Sequence, residues 1–94
     1  MTEAFKRSWL TGWTRSSAGY SVRVGSRTGI DYRDEDGAIR IDSEAMSGPD
    51  LEVVVYVRSI PDDAKRPRAE VLARLRRVFE FRGWTLTEED AWFD

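Results

Sequence analysis

The hydrophobic and polar positions of this chain predict four strands followed by one helix. Tyr20, Val22 and Val24 alternate with Ser21 and Arg23, the period of a half-buried strand over about 20–24, and Gly25-Ser26-Arg27-Thr28-Gly29 then reads as a turn. The runs 29–33 and 38–43 flank Asp34-Glu35-Asp36-Gly37. A two-residue Asp36-Gly37 turn would set Arg33 against Arg40 and Asp31 against Asp42, and like charges directly across a ladder are destabilising. A four-residue loop instead sets Ile30 opposite Ile41, Tyr32 opposite Ile39 and Asp31 opposite Arg40. The longer loop is therefore predicted, with Asp34, Glu35 and Asp36 at its tip.

Leu51-Glu52-Val53-Val54-Val55-Tyr56-Val57 is the most β-branched and apolar run and predicts a central strand over about 51–58. Val71, Leu72, Leu75, Val78 and Phe79 then recur at helical spacing; Pro67 suits the first turn, and Gly83 supplies the stop of a helix over about 67–82. Trp84 and Leu86 leave room for a short final strand. Residues 1–19 keep no clean period and end in the turn-prone Arg15-Ser16-Ser17-Ala18-Gly19, so they are expected to be a loosely ordered lead-in to a single domain over 20–94. Trp9 and Trp13 are expected to pack back onto that domain, with a partner-facing patch as the alternative. The fold class expected is α+β: a small antiparallel sheet of about four or five strands with one C-terminal helix packed on one face.

Composition narrows the chemistry more than the fold. With 94 residues the chain can build one core, and its 40% apolar content is enough to fold it. It holds no cysteine and no histidine, so disulfides, thiolate metal sites, thiol nucleophiles and the commonest general base are all excluded. No cofactor or metal site is expected, and no enzymatic activity. The missing cysteines, the lack of an apolar run of signal-peptide length near the N-terminus and the lack of any membrane-spanning stretch lead to an expected location in the cytoplasm.

Net charge is only −2, but it is unevenly laid along the chain. Counted by segment, 1–30 carry +4, 31–63 carry −7, 64–82 carry +5 and 83–94 carry −4. Asp42 and Glu44 share a strand parity and lie in the most negative block, as do the hairpin-tip acids. As an acid/base pair or Mg²⁺ site they lack a second carboxylate cluster or a phosphate-cradling loop, so a solvated or ion-paired role is expected. A calcium loop around Gly37 is rejected, because Tyr32 and Ser43 would fall where Asp and Glu are required. The basic 65–77 segment raises nucleic-acid binding. Its arginines are interleaved with Glu70 and Glu80, however, and Arg66–Glu70, Glu70–Arg74 and Arg76–Glu80 stand four apart, which predicts ion pairs along a solvated helix. Phe81 leaves the apolar stripe, so it is expected either to lie under the tail near Trp92 or to be an exposed partner anchor beside it.

Several short pieces in order carry a family resemblance: Gly29-Ile30-Asp31-Tyr32, Ile41-Asp42-Ser43-Glu44 with Gly48-Pro49, Val55-Tyr56 with Ser59-Ile60, and Val78-Phe79-Glu80-Phe81-Arg82-Gly83. From about Gly19 to Leu86 the chain resembles the bacterial polymorphic-toxin immunity proteins called immunity protein 74. It departs from the family after Ser59-Ile60, where a tryptophan and proline-rich connection is usual and Pro61-Asp62-Asp63-Ala64-Lys65-Arg66-Pro67 stands instead. The resemblance implies a cytoplasmic protein that binds a cognate toxin domain and blocks it without chemistry of its own. Many such toxins are nucleases with basic surfaces, so the expected partner-binding residues are Asp34, Glu35, Asp36, Asp42 and Glu44. The alternative is a small regulatory or nucleic-acid-associated domain using the basic 65–77 segment.

Overall fold

The computed structural model describes residues 2–46 and 48–90. Seven strands form one sheet in which chain order is also neighbour order: β1 (Phe5–Arg7), β2 (Thr14–Ser16), β3 (Ser21–Ser26), β4 (Gly29–Asp34), β5 (Gly37–Met46), β6 (Glu52–Tyr56) and β7 (Thr85–Glu89). The helix α1 (Arg68–Arg82) connects the last two. The class is α+β, but there are more strands than the sequence pattern predicts. The added strands are β1 and β2, in the segment expected to be a loose lead-in. They were illegible because each has three residues, and the inward positions of β2 are polar: Thr14 accepts a hydrogen bond from Arg82 Nη1 at 2.9 Å, and Ser16 donates to Glu3.

The β4–β5 register is the one predicted, with Ile30, Asp31 and Tyr32 opposite Ile41, Arg40 and Ile39. The loop between them is shorter than expected, because the ladder continues to Asp34 opposite Gly37. Gly37, at φ +124, takes a backbone conformation that a side chain would strain, and this lets two residues close the hairpin. Asp34 is thus a strand residue, and only Glu35 and Asp36 form the tip.

β6 is not central. It lies between β5 and the edge strand β7, and β7 runs parallel to it. The direction follows from the connection: a 15-residue helix spans about 22 Å, enough to carry the chain back along β6, so Thr85 begins beside Glu52. Gly83, at φ +72, ends the helix with the bond pair Gly83 N–H to Glu80 O and Trp84 N–H to Phe79 O, and the Trp84 ring meets Phe79 edge-on at 5.5 Å.

α1 covers one face of the sheet. Its stripe Val71, Leu72, Leu75, Val78 and Phe79 is buried as predicted, against Tyr20, Val22, Ile30, Tyr32, Ile41, Val53 and Val55. The register places the alternate residues of every strand on the opposite, outer face, where among the described residues no helix lies. Among those residues no helix is long and apolar enough to cross a membrane.

Candidate protein-binding site

The structure separates the five predicted partner-binding acids into three settings. Asp34 is not free at a tip: its side chain is only 7% exposed. One carboxylate oxygen accepts from Arg66 Nη2 at 2.8 Å and the Asp36 N–H at 2.9 Å, and the other accepts from Arg66 Nε at 3.0 Å and the Tyr32 hydroxyl at 2.8 Å. Hydrogen bonds from Arg66 hold its pKa at about 2, outweighing the upward push of burial. Arg74 Nη1 completes the group by donating to the Tyr32 hydroxyl at 2.6 Å. Asp34 therefore ties the hairpin to the α1 entry, with little of its carboxylate left to solvent.

Glu35 and Asp36 are exposed at the turn. Asp42 and Glu44 lie far from them, Asp42 being five residues beyond Gly37, about 17 Å along the same strand. The tip and the strand acids do not form one surface.

Asp42 and Glu44 instead join a group that the sequence could not assemble. On the outer face, Glu44 lies beside Val54 and Val54 beside Thr87; Met46 lies beside Glu52 and Glu52 beside Thr85. Tyr56 lies beside Glu89, and Asp42 stands two residues along β5 from Glu44. These nine positions hold four carboxylates, with Arg40 two residues from Asp42 along β5. All are exposed except half-buried Val54 and Tyr56, and Met46 is 45% exposed. The Tyr56 hydroxyl donates to Glu44 Oε2 at 3.1 Å, and that carboxylate raises the Tyr56 pKa. Apolar and aromatic side chains here lie among acidic ones, and such a surface is complementary in charge to a basic one. Glu52, Tyr56 and Glu89 were missed because the signal is the β5–β6–β7 register, which depends on the parallel return of β7.

The basic 65–77 segment is used internally. Arg66 pairs with Asp34, Arg74 with Glu70, Arg76 with Glu88 of β7 at 2.6 Å, and Arg77 with Glu3 at 2.9 Å. Of the three predicted pairs along the helix only Glu70–Arg74 forms; Arg66 and Arg76 take partners on the sheet instead. These engagements set four of the segment's arginines against carboxylates, which lowers the net positive charge available to a phosphate backbone.

Phe81 is 46% exposed and stacks on Phe5 with ring centroids 5.2 Å apart. Phe5 of β1 packs on it, and Trp92 lies outside the described residues. No family model, curated protein or solved structure matches the chain.

Proposed function

We propose that the chain is an immunity protein that binds a cognate bacterial toxin domain in the cytoplasm and neutralises it by occlusion, without catalysis. The observation that carries the reading is the outer face of β5–β7, where Val54, Tyr56 and Met46 sit among Asp42, Glu44, Glu52 and Glu89. Such a face complements a basic surface, and the phosphate-binding surface of a nuclease toxin has that chemistry. The resemblance of the ordered pieces between Gly19 and Leu86 to the immunity protein 74 family supports the same reading.

The test is co-expression with the toxin domain encoded beside this gene, comparing the native chain with a Glu44→Lys/Glu52→Lys variant. Both side chains are exposed, so the variant is expected to fold, to associate at least tenfold more slowly and to lose protection. A folded variant that protects as well as the native chain removes this face from the interface.

A further inference from the structure

The other half of the outer face has the opposite character. In β1 and β2, Lys6 lies directly across from Arg15; Arg15 lies beside Ser21, and Ser21 beside Arg33. Three cations thus stand in one row across four strands, about 14 Å long at the usual strand spacing. Like charges directly across a ladder are unfavourable, and among the described residues no carboxylate forms an ion pair with Lys6, Arg15 or Arg33. These side chains wall a cleft of about 420 Å³ with the loop at 8–13, none of the residues lining it is acidic, and Arg7 borders it from the opposite strand parity, its guanidinium lying over the Trp9 ring.

The cleft is built. Arg40 and Arg23 both pair with Asp31, at 3.3 and 2.9 Å; the Arg23 guanidinium lies 4.7 Å from the centre of the Trp13 ring, and Arg33 lies 4.2 Å from the same ring. That chain of contacts holds Arg33 at the cleft wall. Ser8 and Thr11 are held by the loop's own bonds, Ser8 Oγ accepting from the Thr11 N–H and Thr11 Oγ1 from the Trp13 N–H. Each hydroxyl acts there as an acceptor, leaving its own O–H to donate.

We infer that this cleft binds a phosphate ester. Three cations ask for a multiply charged anion, and a phosphate monoester carries nearly two charges with three acceptor oxygens that match arginine forks and hydroxyl donors, whereas a carboxylate neutralises one cation only. The ester has two possible sources, a soluble phosphate such as a nucleotide and the headgroup of an anionic lipid. The second has structural support in the same loop, whose apex carries Trp9 and Leu10, 88% and 97% exposed, in the arrangement that seats an indole at a bilayer interface with cations at headgroup level.

The experiment is an NMR titration of the full chain with inorganic phosphate, adenosine monophosphate and acetate, read at the Trp13 indole N–H, which is assigned with Trp13→Phe. Phosphate and the nucleotide are expected to shift that resonance at concentrations where acetate does not. Arg15→Ala and Arg33→Ala are each expected to weaken binding at least fivefold, while Arg58→Ala, outside the cleft, leaves it unchanged. Should Arg15→Ala fail to fold, Lys6→Ala tests the same row. Acetate binding as tightly as phosphate, or affinity unaffected by the cleft variants, overturns the inference. Sedimentation with phosphatidylcholine vesicles, with and without phosphatidic acid, then separates the sources. Binding that needs phosphatidic acid and is lost in Trp9→Ser/Leu10→Ser, while soluble phosphate still binds that variant, assigns the lipid headgroup. Soluble phosphate binding without vesicle binding assigns the free ester.

Discussion

Asp34 and Arg66, thirty-two residues apart, form a bidentate ion pair with both side chains nearly closed off from water, at 7% and 12% exposure. The pair joins the β4–β5 hairpin to the segment that leads into α1, and the Tyr32 hydroxyl and Asp36 N–H complete the carboxylate's bonds. A pair in this position is costly to break because the remaining partner keeps its burial and loses its compensation.

Asp34→Ala should therefore cost about 3 kcal/mol or more, leaving Arg66 without its carboxylate. A urea midpoint for Asp34→Ala no lower than that of exposed Asp36→Ala would show that the pair contributes nothing.

Acid should destabilise the native chain in a defined window. The Asp34 pKa is depressed to about 2 from an ordinary 3.8, so its contribution is present above pH 4 and is lost as pH falls through 2. The shift corresponds to roughly 2 kcal/mol. At the alkaline end Tyr32, pushed to about 12 chiefly by burial, contributes stability that is present below pH 10 and is lost as pH rises through 12. Urea midpoints measured across both windows check the two signs, and Asp34→Ala should flatten the acid limb.

Leu75→Ala should cost about 2 to 5 kcal/mol, because Leu75 is fully buried in the α1 stripe. The suitable control is exposed Glu80→Ala rather than a change at Arg76, which is bonded to Glu88. Equal midpoints for Leu75→Ala and Glu80→Ala would contradict the packing described here.

Phe5 and Phe81 should couple. Their stack fastens the short edge strand β1 to α1, and a double-mutant cycle with Phe5→Ala and Phe81→Ala should give an interaction of about 0.5 to 1.5 kcal/mol. Strictly additive losses would mean that the ring stack does not help to hold β1 on α1.

The sequence was informative wherever one local rule governed the outcome. Apolar spacing placed α1 and its buried face, a glycine marked the helix end, and like-charge avoidance selected the β4–β5 register from Arg33, Arg40, Asp31 and Asp42. It failed where strands are held by neighbours rather than by their own pattern, as in β1 and β2, whose buried Thr14 and Ser16 are satisfied by distant Arg82 and nearby Glu3. The candidate site was half legible: Asp42 and Glu44 were found, but not their companions Glu52, Tyr56 and Glu89.

The sequence alone determined the class, the helix, the core residues and the absence of thiol and imidazole chemistry, because these depend on residue type and on spacing along the chain. Tertiary structure alone decided which charges are consumed and which are displayed. Folding paired the 65–77 arginines with acids from across the molecule, sank Asp34 beneath the hairpin, and divided the outer face into an acidic end on β5–β7 and a basic end on β1–β4. A charge's partner is set by distance in space, and for side chains brought together by a seven-stranded register and one parallel return that distance is not encoded in local spacing.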